Sequence, residues 1–241
     1  MSAGDRQLRI EVGDDPAAGA ARLLAEASGN VVLTGGSTPR QAYEQAASLR
    51  DDWAGVELWL SDERCVAPDH EHSNFGMIKR ALLDRVEGAE LHRMRAEQGP
   101  EQGADAYESE LREVFGDSLP RFELMLLGLG PDAHMCSLFP GDPALGERER
   151  LAVGVDTPGM APLVSRVTLT LPVVNEASKI VFLVTGEDKA EAVARAFSGA
   201  PDPGAPASLV KPRSGSLTLL LDPAAAARLD PAAATKLEGG R

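Results

Sequence analysis

Cysteine, aromatic side chains and positive charge are all scarce in this chain of 241 residues, and each shortage removes a class of protein. The two cysteines, Cys65 and Cys136, are too few for a disulfide framework and stand in no Cys-x-x-Cys or Cys/His cluster, so both are expected as plain reduced thiols. Lys and Arg number 24 against 37 Asp and Glu, a formal balance of −13, which opposes broad attraction to phosphate backbones or anionic lipid. No nucleic-acid or membrane partner is therefore expected. No apolar run reaches the ~18 residues of a membrane span, and the opening Met1-Ser2-Ala3-Gly4-Asp5-Arg6-Gln7 lacks the basic head and apolar middle of a secretory signal. A cytoplasmic location is expected. His70, His72 and His92 lie in polar segments without metal-ligand spacing, so no metal site is expected.

What remains is the profile of a globular protein, with 43% hydrophobic and 25% charged residues although aromatics make up only 4%. Short β-branched or leucine-rich runs alternate with longer alanine-rich amphipathic stretches, the pattern of strand-helix-strand units on a parallel sheet. Strands are predicted over 8–12, 30–34, 56–60, 122–127, 151–155, 179–185 and 216–221. Helices are predicted over 15–27, 39–49, 74–85, 101–115 and 188–197, and a short one from Pro223 that frays by Gly239 and Gly240. The fold class is α/β, a mostly parallel sheet with helices on both faces. The proline- and glycine-rich stretches at 142–149 and 198–207 are not flanked by a change of composition, so 1–241 is read as one large domain.

Polar residues with chemical potential follow the apolar strands directly. Thr34-Gly35-Gly36-Ser37-Thr38-Pro39 follows Val31-Val32-Leu33, and its glycines permit a tight turn into a helix whose free amides attract an anion. It lacks the Gly-Lys-Ser/Thr ending of a nucleotide loop and the spacing of a dinucleotide fingerprint. Ser61-Asp62-Glu63-Arg64 follows the third strand; Arg64 suits a sugar-phosphate oxygen or an oxyanion, and Asp62 a hydroxyl, a water or a basic side chain. His134, after Gly128-Leu129-Gly130-Pro131-Asp132-Ala133, is the candidate for proton transfer near neutral pH. Lys189 opens a helix after Gly186, and Arg166 begins the run Val167 to Leu171. Carboxyl ends of parallel strands share one edge, so these distant segments are expected to meet there, with Arg64, Arg166, Lys189 and the glycine turn forming a local positive pocket on an acidic chain.

In order, Leu33-Thr34-Gly35-Gly36-Ser37-Thr38-Pro39, Ser61-Asp62-Glu63-Arg64-Cys65-Val66, Ser73-Asn74-Phe75-Gly76-Met77, the stretch from Leu127 to Pro140, Arg166 to Pro172, and Gly186 to Ala190 resemble the 6-phosphogluconolactonase family. The resemblance implies a Rossmann-like fold. It also implies a hydrolase without cofactor or metal, acting on 6-phospho-D-glucono-1,5-lactone in the oxidative pentose phosphate pathway. By the same resemblance His134 is the base, Asp62 and Asp132 orient it or its water, Arg64 meets the carbonyl oxygen or the sugar acid, and Arg166, Lys189 and the loop of Thr34, Gly35, Gly36, Ser37 and Thr38 hold the phosphate. The partner is then a small sugar-phosphate lactone, with monomer and weak homodimer both open.

One departure stands out: the family usually carries Asp-Gly-His, and here the triplet is Asp132-Ala133-His134, with bulky Met135 after it. If the middle residue takes positive φ, Ala133 is strained. A loop shifted by about an ångström costs on the order of 100-fold in rate. The competing readings are an aminosugar-phosphate isomerase/deaminase, disfavoured by the missing Asn-Glu-Pro after the histidine segment, and a sugar-phosphate-binding relative with weakened or no turnover.

Overall fold

The computed structural model describes residues 8–229. Seven strands form one sheet in the order β1 (Leu8–Val12), β10 (Ser216–Leu221), β9 (Lys179–Val184), β6 (Leu124–Leu127), β2 (Gly29–Leu33), β3 (Val56–Leu60) and β5 (Glu90–His92), every neighbour parallel. Strand β6 is buried along its whole length and β9 beyond its first residue, as strands covered on both faces must be. The helices are α1 (Pro16–Ala25), α2 (Ser37–Leu49), α3 (Asn74–Ala81), α4 (Pro100–Phe115), α5 (Leu171–Val174) and α6 (Ala190–Phe197).

Register fixes which face each helix covers. Trp59, Val32, Met125, Ile180 and Leu217 are successive partners across the sheet and therefore share a face, together with Phe182 two residues beyond Ile180. Trp59 meets Tyr107 and Phe115 of α4, and Phe182 meets Phe197 of α6. Leu220 lies on the opposite face, where Gly19 of α1 packs against its side chain. Helices thus cover both faces, as the sequence pattern predicts. Among the described residues no helix is long and apolar enough to cross a membrane.

Four strands stand apart from the expectation. The run at 151–155 forms β7 (Ala152–Val155), but it joins β8 (Arg166–Leu169) and β4 (Asp62–Arg64) in a separate antiparallel sheet. The charged triplet Asp62-Glu63-Arg64 has no strand pattern of its own; pairing with β8 makes it one. The short edge strand β5 was likewise not anticipated. It is anchored through His92, which stacks on Trp59 at 3.8 Å and meets Glu57 and Glu110 at 2.5 and 2.7 Å. Of the helix expected from Pro223, residues 223–229 run as turns, and the rest of that segment, with Gly239 and Gly240, lies outside the described residues.

The chain runs from β2 outward to β3 and from β6 outward to β9, so the strand order reverses between β2 and β6. Crevices form at such switch points, beyond the carboxyl ends of the strands. Strand β2 pairs with β6 only through Val31 and Val32, after which the two diverge. The backbone of Thr34 faces the resulting gap, and the hydroxyl of Tyr43 fills it, accepting from Thr34 N at 2.9 Å and donating to Thr34 O at 2.8 Å. Tyr107 does the same from the other face at the end of β3, where β5 stops opposite Trp59 and leaves Leu60, paired with Leu33 of β2 on one side, without a strand neighbour on the other: it accepts from Leu60 N at 2.8 Å and donates to Leu60 O at 3.1 Å. Burial pushes both phenols above their ordinary range. These are the only two tyrosines in the chain. Tyr107→Phe leaves a buried N–H and C=O unpaired and is expected to lower the unfolding free energy by about 1–3 kcal/mol, read as a lower urea midpoint at unchanged slope.

Candidate active site

A cleft of about 260 Å³ opens at this switch point. The loop of Thr34, Gly35, Gly36, Ser37 and Thr38 forms one wall, Gly128 to Pro131 with His134 another, and Asp62, Arg64, Arg166 and Lys189 are among the other lining residues. Asp132 is not on the wall. Its carboxylate stands behind the imidazole, Oδ1 lying 2.5 Å from His134 Nδ1 and accepting the His134 backbone N–H at 3.1 Å. The ring also leans on Phe139, with centroids 4.4 Å apart, and its side chain is 13% exposed. With Nδ1 occupied, Nε2 is the nitrogen left for a molecule in the cleft.

The histidine loop is built around its glycine. A Cβ on Gly130 would overlap the imidazole and the Asp132 carboxylate, so only hydrogen fits there. Ala133 adopts φ +66°, in the left-handed region that favours glycine, and Cys136 adopts φ +52°. The strain expected of the Asp132-Ala133-His134 triplet is therefore present. It is held by the surroundings: Ala133 is fully buried, its N–H donates to Gly130 O at 2.9 Å, and its carbonyl accepts from Ala207 N at 3.0 Å. The buried end of the 198–207 stretch, Ala205 to Ala207, is thus tied to the loop, and His134 keeps its contact with Asp132.

The small antiparallel sheet supplies the cations. Register places Arg64 directly opposite Arg166 and Asp62 opposite Thr168. Like charges opposite one another on a ladder are destabilising, and here both guanidinium groups have a buried Nε without a hydrogen-bond partner. Arg64 is braced by His72 O at 2.7 Å, and Arg166 Nη2 by Met160 O at 3.0 Å and Pro162 O at 3.2 Å. Burial pulls the Arg166 guanidinium below its ordinary range, Asp62 opposing that shift and Arg64 adding to it. Lys189 ends a turn ahead of α6, with Asp188 3.7 Å from its Nζ.

Asp62 is 3% exposed and has no hydrogen bond to His134 among the described contacts. Its Oδ1 accepts from Ser61 Oγ at 2.9 Å and lies 3.4 Å from Asn74 Nδ2, and its Oδ2 accepts from Ser137 Oγ at 2.7 Å. Glu63 points the other way, accepting from the backbone of Arg64, Asn74 and Phe75 and from Ser73 Oγ, which pins the start of α3 to β4. Burial raises its carboxyl above the ordinary range against those four hydrogen bonds. Asn74, Ser137 and Thr185, whose hydroxyl meets Thr38 at 2.7 Å, were not singled out as site residues from the sequence. Asn74 and Ser137 sit inside the resembling motifs, which was the available signal; Thr185 ends an apolar strand and carries none. Among the described residues, no group of three or more His, Cys, Asp or Glu side chains is placed to hold a metal ion.

A parallel sheet with a switch-point cleft, an Asp-backed histidine and a neighbouring pair of arginines defines an α/β enzyme of the sugar-phosphate type, and the chain belongs to the family of glucosamine-6-phosphate isomerases and 6-phosphogluconolactonases, whose model matches residues 6–219. The 6-phosphogluconolactonase of Synechocystis is 40% identical over 86% of this chain and 88% of its own length. The human 6-phosphogluconolactonase is 42% identical over 71% of this chain and 67% of its own. Among solved structures, the 6-phosphogluconolactonase of Trypanosoma brucei superposes with a TM-score of 0.81 at 25% identity, covering 94% of this chain and all of that one, 100%.

Ala133→Gly removes a left-handed penalty of about 1–2 kcal/mol at a cost of about 0.5–1 kcal/mol in backbone entropy. A net stabilisation of up to ~1 kcal/mol is expected in urea unfolding. Since His134 already meets Asp132, turnover is expected to change by no more than a few-fold; a rise of two orders of magnitude would show that the alanine misplaces the base.

Proposed function

We propose that this chain is a 6-phosphogluconolactonase that opens the ring ester of 6-phospho-D-glucono-1,5-lactone with His134 as its base. The observation that supports it most directly is the pairing of His134 Nδ1 with Asp132 Oδ1 at 2.5 Å, which leaves Nε2 for the cleft beside two arginines. In this reading Nε2 takes a proton from water as its oxygen attacks the lactone carbonyl carbon. The carbonyl electrons move to oxygen, and Arg64 faces the charge that develops there. On collapse the bond from the carbonyl carbon to the ring oxygen breaks, and the proton on Nε2 passes to that oxygen. Water is consumed and the hydroxy acid is released.

Asp132 fixes the ring and balances the charge of the imidazolium, a positioning role from behind the wall. Asp62, bound to Ser61 and Ser137, sets the polar floor beside the attacking water rather than the ring itself. Arg166, Lys189 and the amides of the Thr34 to Thr38 loop hold the phosphate, which gives an acidic chain of net charge −13 a local positive pocket for a dianion. The whole chain, 1–241, is taken to act as one catalytic unit on a small sugar-phosphate lactone in the cytoplasm, as a monomer or weak homodimer.

His134→Ala is expected to lower kcat by about 100-fold or more in a coupled assay at mildly acidic pH, where spontaneous hydrolysis is slow. Gly130→Ala is expected to do nearly as much by evicting the ring from its place. Unchanged turnover in His134→Ala removes the histidine from the mechanism.

The Asp132 carboxyl lies below its ordinary range: burial pushes it up, and the hydrogen bond and charge of His134, with backbone amides, more than offset that. A depressed carboxyl contributes stability that is present above its unfolded-state pKa and is lost as pH falls through the folded-state value. The stability difference between wild type and Asp132→Asn is therefore expected to shrink as pH falls below ~4. Urea unfolding at a series of pH values reads this directly.

A further inference from the structure

Asp62 and Arg166 are opposite charges, each only 3% exposed, on adjacent strands of one small sheet, yet they form no ion pair. Between them stands Ser137, itself fully buried. Its hydroxyl donates to Asp62 Oδ2 at 2.7 Å and accepts from Arg166 Nη1 at 3.5 Å, which uses its single proton in one direction and a lone pair in the other. The backbone of Ser137 is fixed independently: its N–H donates to Thr168 Oγ1 at 3.1 Å, on the strand that carries Arg166. On its far side Arg166 is held by the carbonyls of Met160 and Pro162 and lies over the Phe139 ring at 5.3 Å. Its Nε remains without a partner, beside the cleft.

We infer that Ser137 is a positioning residue: its hydroxyl is a one-oxygen spacer that keeps Asp62 from capturing Arg166, so that the guanidinium stays committed to the cleft. A buried carboxylate and guanidinium brought into direct contact would form a two-pronged, charge-assisted pair. That pair would neutralise the cation and draw it toward β4. The serine prevents this by giving Asp62 a neutral donor at 2.7 Å while leaving Arg166 only a long, weak contact. Apart from its place in the stretch from Leu127 to Pro140, a serine between Cys136 and Leu138 is indistinguishable by residue type from core filling.

The inference rests on the lactonase reading, in which Arg166 meets an anionic ligand. The probe is the product acid, 6-phosphogluconate, with binding to the full chain measured by calorimetry. Ser137→Ala is expected to weaken that binding by about tenfold, a loss equivalent to one charge-assisted contact, and to raise KM more than it lowers kcat. Ser137→Cys, which leaves no cavity but puts a bulkier, poorly donating thiol in place of the hydroxyl, is expected to do the same and guards against a packing effect of the smaller alanine. The decisive comparison adds Asp62→Asn to each. With the capturing charge gone, the Ser137 substitution should no longer matter, and affinity should return to within about threefold of the Asp62→Asn parent. A merely structural serine would weaken binding equally in both backgrounds, and that result overturns the spacer, as does unweakened binding by folded Ser137→Ala or Ser137→Cys. If wild type neither binds the product acid nor hydrolyses the lactone, the lactonase reading falls and the spacer with it.

Discussion

Everything at the cleft depends on the parting of β2 from β6 after two residue pairs. A parallel sheet that stayed paired to its carboxyl edge would leave no room for a ligand there, and one that parted without compensation would strand buried backbone groups. Tyr43 resolves the conflict by supplying a donor and an acceptor from a single hydroxyl to Thr34, just past β2, and Tyr107, from the other helical layer, does the same for Leu60 on the open side of β3. Buried backbone groups left without a strand partner are thereby satisfied.

The second constraint is the small antiparallel sheet that overhangs the gap. It places two arginines opposite each other, an arrangement that stability alone disfavours. The surrounding atoms hold the pair rather than cancel it: carbonyls brace the outer nitrogens, a serine stands between one guanidinium and the nearest buried carboxylate, and Glu63 is turned away to bind the start of α3. Local conflict of this kind, maintained by many satisfied neighbours, is the mark of a site shaped for a ligand.

Much of this was legible in the chain before folding. Apolar runs followed at once by Thr34, Ser61, Gly128 or Gly186 located the carboxyl edge, because parallel strands must put those residues side by side. The left-handed turn at Ala133 was foreseeable only through the resemblance, since an alanine carries no signal of positive φ. What escaped the sequence has a common cause. Asp62 to Arg64 became a strand because β8 lies beside it, β7 left the main sheet for the same partner, and β5 is three residues held by His92. Such elements are made by their neighbours and not by their own periodicity. Tyr43 and Ser137 each have a single hydroxyl group, whose importance lies in what stands within 3.5 Å of it.

The tyrosine plugs carry one more implication. Burial holds both phenols protonated well past the pH at which free tyrosine ionises, and the chain contains no third. In an alkaline titration of the native protein the near-ultraviolet band of tyrosinate is therefore expected to lag behind that of free tyrosine. Its early emergence would report that the strand ends have come apart, which makes the pair a built-in optical gauge of whether the ends of β2 and β3 are still capped.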